Sequence, residues 1–202
     1  MIKNIVFDMG NVVIYFDREF FLRRLNISEE DRKLLMREVF LSLEWSRMDR
    51  GSLNDEEAAE IICNRVPQRL HSAVRELVGM WDRPILEVPG IYDLIRQLKE
   101  NGYGIYLLSN ASLRQPYYWK NVPASKFFDG TLISANVKLV KPQPEIYKLL
   151  CENFSLVPEE CVFIDDSTPN VEGAFFSGMS AIVFHDDAAE LRCRLRELGV
   201  NI

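Results

Sequence analysis

Apolar residues are spaced in two different ways along this chain. Residues 4–7 (NIVF) form a short continuous apolar run, the pattern of a buried strand. From residue 17 the spacing becomes helical. DREFFLRRL opens on Asp17, an N-cap type. SEEDRKLLMREVFLSLEW (28–45) carries Ser28 and Asp31 in capping-box spacing and predicts one helix. NDEEAAEIICNRV (54–66) starts on a further N-cap residue, and Leu70, Val74, Leu77, Val78 and Trp81 fall on one helical face. The pattern therefore predicts an all-helical block over residues 17–83.

Beyond it, strand and helix patterns alternate. VPGIYDLIRQLKENG (88–102) places Ile91, Leu94, Ile95 and Leu98 on one face, with Pro89 at its start and Gly102 at its end. YGIYLL (103–108), CVFI (161–164) and SAIVF (180–184) predict strands; 141–154, 168–178 and 187–198 predict helices. Such alternation implies an α/β fold, a Rossmann-like parallel sheet with helices on both faces. Because strands occur on both sides of the helical block, 17–83 is expected to be an insertion, with 1–16 and 84–202 forming the core.

Composition narrows the function. The chain has 202 residues, 48% of them hydrophobic and 27% charged, enough to bury a sizeable core. Its net charge of −6 argues against a nucleic-acid partner or an anionic membrane. No apolar run has transmembrane length, and the N-terminus lacks a signal-peptide pattern. Cys63, Cys151, Cys161 and Cys193 form no C-x-x-C pair and are expected to be buried, reduced thiols of a cytoplasmic protein. No G-x-x-x-x-G-K or G-x-S-x-G occurs, and His71 and His185 stand far apart without ligand partners.

Ligands of open parallel sheets bind at the carboxyl ends of the strands. The predicted ends deliver Asp8, Ser109-Asn110 and Asp165-Asp166, and Lys141 stands just before a helix opened by proline. Singly, these residues are ordinary turn, cap or surface residues. Together they favour a site. Three neighbouring carboxylates repel one another unless cations neutralise them. Mg²⁺ prefers oxygen ligands, and Lys141 adds one more positive charge. A site neutralised in this way can accept a phosphoryl group, with Asp8 attacking phosphorus, Ser109 and neighbouring amides binding phosphate oxygens, and Lys141 holding developing charge.

These segments resemble the four motifs of the haloacid dehalogenase-like (HAD) hydrolase superfamily: VFDMGNVV, YLLSN, KLVKPQPEIY and VFIDDSTPNVEGA. The resemblance covers essentially the whole chain and lies nearest the group containing the bacterial α-D-glucose-1-phosphate phosphatase. It implies that 17–83 is a helical cap closing over a Rossmann-like core. It implies that Asp8 is nucleophile and Mg²⁺ ligand, that Gly10 lends its carbonyl to the metal, that Ser109 and Asn110 grip phosphate, and that Lys141 bridges nucleophile and phosphate. Asp166 would ligate the metal directly, with Asp165 orienting a metal-bound water.

The sequence departs from the common phosphatase pattern at Gly10, where those enzymes carry a second aspartate as general acid and base. That function is worth about 10²–10⁴ in rate, and neither glycine nor the amide of Asn11 supplies it. The expected activity is hydrolysis of a small phosphorylated metabolite, such as a sugar 1-phosphate with its good leaving group. A 2-haloacid dehalogenase tolerates Gly10 but has no use for Asp165-Asp166. A non-enzymatic binding protein on the same scaffold, or a phosphomutase, is a weaker reading. A monomer or weak homodimer is expected. Trp45, Arg47 and Arg50 in the helical block, and Tyr117, Tyr118 and Trp119 after the second motif, are equally explained as substrate contacts or as packing and solvated residues.

Overall fold

A computed structural model describes residues 1–202. Five parallel strands, β1 (Asn4–Phe7), β2 (Gly104–Ser109), β3 (Gly130–Ile133), β4 (Cys161–Asp165) and β5 (Ser180–Val183), form one sheet in the order β3-β2-β1-β4-β5. β1 is therefore central. Its Phe7 stands opposite Leu107 on one side and Ile164 on the other. The chain winds outward through β2 and β3, then crosses back to β4 on the far side of β1. The gap between β1 and β4 is thus the topological switch point, where open α/β sheets hold their ligands.

The strands are buried on both faces, and their side chains alternate between two helical layers. Ile5, Phe7, Ile105, Leu107 and Ile164 pack with α6 (Ile91–Glu100) and α11 (Ala188–Glu197). Val6, Leu108 and Phe163 face the other way, onto α9 (Pro144–Phe154) and α10 (Thr168–Phe176). α6 shows why its sequence folds so. Ile91, Leu94, Ile95 and Leu98 are fully buried on one face, each burial worth about 1.5–3 kcal/mol. Gly90 and Gly102, at φ +79° and +87°, let the chain turn into and out of the helix.

Residues 17–83 are helical, as the pattern predicts, with one correction. The single helix expected over 28–45 is broken. α1 (Arg18–Arg23) and α2 (Glu29–Leu35) are followed by a π-helical turn, Met36–Phe40, and then by α3 (Leu43–Asp49). Ser42 causes the break. Its backbone is extended, its hydroxyl donates to the Val39 carbonyl at 2.7 Å, and its Oγ accepts from the Trp45 N–H at 3.1 Å. Such local bonds compete with the helical ladder. α4 (Asp55–Cys63) begins with a full capping box from Asn54 and Glu57, and α5 (His71–Met80) closes the block. The buried side chains from Phe21 to Val78 form a cluster distinct from those flanking the sheet. The two strands of chain joining this block to the sheet run side by side, with the Tyr15 N–H donating to the Leu86 carbonyl at 2.8 Å.

Two further differences from the sequence reading stand out. β3 carries no sequence signal of its own, because four residues at a sheet edge run directly into α8 (Ser134–Val137). Cys63, Cys151 and Cys161 are buried free thiols, but Cys193 is exposed. It lies off the face of α11 that buries Leu191 and Leu195. No helix is long and apolar enough to cross a membrane.

Candidate active site

The β1 ladder runs one residue past the strand, where the Asp8 N–H donates to the Ile164 carbonyl at 2.8 Å. Asp8 thus reaches the carboxyl edge level with Asp165, the last residue of β4. Between them lies Lys141, 4% exposed. Its Nζ is 2.6 Å from Asp165 Oδ2 and 2.8 Å from Asp8 Oδ1. The bond to Asp165 is a well-formed hydrogen bond. The approach to Asp8 is an ion pair off the hydrogen-bond direction, so Asp8 Oδ1 is buried without a hydrogen-bond donor.

Asp165 is the fixed member of this group. It is fully buried and accepts from Lys141, from the Ser167 N–H at 2.8 Å and from Asn170 Nδ2 at 3.1 Å to each oxygen. Asn110 has a related role. Its Oδ1 accepts from the Lys141 N–H at 2.8 Å and its Nδ2 donates to the Lys141 carbonyl at 3.1 Å. Asn110 therefore clamps the lysine backbone, and its own N–H bonds to no other backbone group. Ser109, 2% exposed, lines the cavity beside it.

The loop after β1 explains the position of Asp166. Asn11 sits in the left-handed region at φ +56°, a conformation asparagine tolerates better than most residues. Its Oδ1 accepts from the Phe16 N–H and its Nδ2 donates to Asp166 Oδ2, both at 2.9 Å. One carboxylate oxygen of Asp166 is thus held while the residue stays exposed. No backbone N–H is directed at the Gly10 carbonyl.

Burial raises the Asp8 carboxyl to about 7; Lys141 opposes the shift and Asp165 adds to it. Asp166 is also raised, first by burial, then by Asp165, while the Asn11 hydrogen bond opposes the rise. Lys141 shows the reverse balance. Burial pushes its ammonium down, but Asp8 and Asp165 outweigh it, and the net shift is upward. The group is short of positive charge. Carboxylate oxygens of Asp8, Asp165 and Asp166 lie within 4.8 Å of one another. With an orphaned Asp8 oxygen and an uncommitted carbonyl at Gly10, they form an all-oxygen donor set suited to Mg²⁺. Asp166 has the freer oxygen; Asp165 has both of its oxygens engaged.

A cavity of about 380 Å³ opens over these residues. Its walls are aromatic. Phe16 meets Trp81 at 4.9 Å, Phe40 meets Trp45 at 5.0 Å, and Trp81 meets Tyr118 at 5.0 Å between ring centroids. Of the aromatic residues left open by the sequence, Trp45 and Tyr118 line this cavity. Both other aromatics lie in α7 (Gln115–Trp119), where Trp119 packs on Phe128 and Tyr117 points to solvent. Arg47 and Arg50 line a neighbouring opening beside Lys141. Arg18, Asp49 and Trp81 also line the main cavity with no sequence signal for such a role, and Asn170 lines it as well. The spacing of Asn170, five residues after Asp165 and one turn into a helix opened by Pro169, was the one available hint.

A carboxylate and a lysine at the switch point of an open parallel sheet, beside a helical block, make a Rossmann-like site with an acidic metal cradle. A family model for haloacid dehalogenase-like hydrolases matches residues 2–178, and the chain belongs to that family. The D-ribitol-5-phosphate phosphatase of Bacteroides thetaiotaomicron is 26% identical over 188 residues, 85% of this chain and 86% of that one. A phosphorylated carbohydrates phosphatase of Thermotoga maritima is 31% identical over 97 residues, 48% of this chain and 45% of its own. Among solved structures, a HAD-family enzyme of Bacteroides thetaiotaomicron in complex with magnesium and inorganic phosphate superposes with TM-score 0.71 at 26% identity, covering 95% of this chain and 99% of that one. The L-2-haloacid dehalogenase of Xanthobacter autotrophicus shares the fold, with TM-score 0.67 at 18% identity over 98% of this chain and 84% of that one.

Proposed function

We propose that this chain is a Mg²⁺-dependent phosphatase that hydrolyses a small phosphorylated sugar or polyol through an aspartyl-phosphate on Asp8. One observation carries the reading: Asp8 presents a buried oxygen with no hydrogen-bond donor, 2.8 Å from Lys141 Nζ, at the floor of the cavity. A carboxylate oxygen that lacks a hydrogen-bond donor but is held by a cation is a poised nucleophile. The similarity to two phosphatases of sugar and polyol phosphates supports the substrate class.

In this mechanism Asp8 attacks phosphorus and the bond to the leaving oxygen breaks. Ser109 Oγ and the Asn110 N–H bind phosphoryl oxygens, and Lys141 holds the negative charge that develops there. Asp165 and Asn110 act through Lys141, fixing its ammonium and its backbone. Asp8, Asp166 and the Gly10 carbonyl would hold the metal, with Asp165 backing the cradle. When bound, Mg²⁺ supplies charge that brings the phosphoryl oxygens and the aspartates together. Water then hydrolyses the aspartyl-phosphate.

We read residues 17–83 as a cap over the 1–16 and 84–202 core, with Phe40 and Trp45 shaping the substrate side of the cavity. If the strand-end residues alone did the chemistry, the absence of an acid at Gly10 would favour a sugar 1-phosphate, as in the α-D-glucose-1-phosphate phosphatase group. The test is phosphate release from a panel of phosphorylated metabolites. Wild type is expected to turn over sugar or polyol phosphates with Mg²⁺, and to lose activity with EDTA or on Asp8→Asn. Release that survives Asp8→Asn refutes the reading. Dehalogenation of chloroacetate in EDTA would replace it with the dehalogenase.

A further inference from the structure

Gly10 leaves the leaving group without a proton donor, yet the cavity contains one more carboxylate. Three carboxylic residues line it: Asp8, Asp166 and Asp49. Asp8 is committed to Lys141, and Asp166 to Asn11. Asp49 is the last residue of α3 and arrives from the helical block rather than from a strand end. Only its backbone is engaged, its carbonyl accepting from the Ser134 hydroxyl.

That attachment holds Asp49 in place. Ser134 Oγ also accepts from the Ala111 N–H at 2.9 Å, which ties the end of α3 to the loop after β2. Two residues on, Gly51 takes φ +70° and runs so close to α8 that any Cβ would strike the Ala135 carbonyl. The end of α3 is therefore pinned to the sheet, with Asp49 among the residues that line the cavity.

We propose that Asp49 is the general acid–base residue of the phosphoryl transfer, standing in for the side chain absent at Gly10. The inference rests on the phosphatase reading. As Asp8 Oδ bonds to phosphorus, the P–O bond to the substrate breaks and the leaving oxygen takes the proton from the Asp49 carboxyl. The Asp49 carboxylate then removes a proton from the water that attacks the aspartyl-phosphate. The P–O bond to Asp8 breaks, inorganic phosphate leaves, and both aspartates return to their starting states. The charge balance suits this cycle. Burial raises the Asp49 carboxyl to about 7; Arg18 and Lys141 pull it down, while Asp8 and Asp55 push it up. An acid with a pKa near the working pH is the most effective one. The restriction to good leaving groups is thereby lifted, and alkyl phosphates such as primary sugar phosphates come within reach.

The experiment compares wild type with Asp49→Asn on a series of aryl and alkyl phosphates of increasing leaving-group basicity. Asp49→Asn is expected to lose about 10²–10⁴ in rate on the alkyl esters. With p-nitrophenyl phosphate it should show a burst of one nitrophenolate per enzyme followed by slow turnover, because attack survives and hydrolysis lacks its base. Adding Gly10→Asp to Asp49→Asn should restore alkyl ester hydrolysis. A Cβ at Gly10 meets only Phe16 Cβ, at an ordinary 3.6 Å. A burst on p-nitrophenyl phosphate slowed as much as alkyl ester hydrolysis assigns Asp49 a structural role and overturns the inference, as does an unchanged rate. If Asp49→Asn does not fold, the wild-type profile decides. Alkyl ester turnover should fall as pH rises through about 7; a flat profile overturns the inference. Failure of the phosphatase reading looks different, since wild type would then release no phosphate, or Asp8→Asn would still release it.

Discussion

Replacing Lys141 with methionine, of similar length but without charge, tests how the site is held together. Lys141 is 4% exposed, Asp8 8% and Asp165 fully buried, so none of the three is well solvated. Removing one partner of a buried ion pair costs about 3–5 kcal/mol, because the remaining charge stays buried and unpaired. In a chain of this size 1 kcal/mol shifts Tm by about 2–4 °C. The expected loss is therefore roughly 6–20 °C. Its pH dependence has a defined sign. The Lys141 pKa is raised in the folded state. Its contribution is in full force below the unfolded lysine value and is lost only as pH rises through the still higher folded value. At neutral pH the wild type keeps all of it. In the variant, Asp8 loses the cation that opposes its upward shift. Acid then relieves the penalty by protonating the carboxylate, so the gap in Tm should be widest near pH 8 and narrower near pH 5. Thermal melts followed by circular dichroism over that range measure it, and adding Asp165→Asn to the variant should recover part of the loss. A Tm shift under about 3 °C, or a gap that does not change with pH, refutes the assignment of Lys141 as the charge that holds the two aspartates.

Two other perturbations probe the loops around the site. Asn11→Ala removes the hydrogen bond that holds Asp166 and an asparagine from a left-handed position. Mg²⁺ affinity measured by calorimetric titration should weaken about 10–100-fold, as on loss of a residue that orients a metal ligand. Gly51→Ala places a Cβ against the Ala135 carbonyl at φ +70°. It should cost more than about 1 kcal/mol in urea unfolding and lower turnover by displacing Asp49; a neutral result would mean that the end of α3 is not pinned.

Much of this molecule is written in its local pattern. The strands β1, β2, β4 and β5, the helical character of 17–83 and the strand-end positions of Asp8, Ser109 and Asp165 follow from periodicity, because a residue's face and its place in an element are local properties. The break at Ser42 was not legible, since a serine that caps and one that rides a helix look alike until its hydroxyl finds partners. β3 was too short to carry a period.

The sequence by itself determined the parallel sheet, the helical block after the first strand and the polar residues at the strand ends, and its family resemblance singled out Gly10 as a departure from the common phosphatase pattern. Only the tertiary structure decided what each polar residue does. It gave Asn110 to the Lys141 backbone, committed both oxygens of Asp165, and left Asp166 with the freer one. It also brought Asp49 into a cavity floored by Asp8, 41 positions earlier in the chain. Spacing within an element cannot reveal such a meeting. It is set by how the helical block packs across the sheet, through contacts such as Ser134 to Asp49 that join residues distant in sequence.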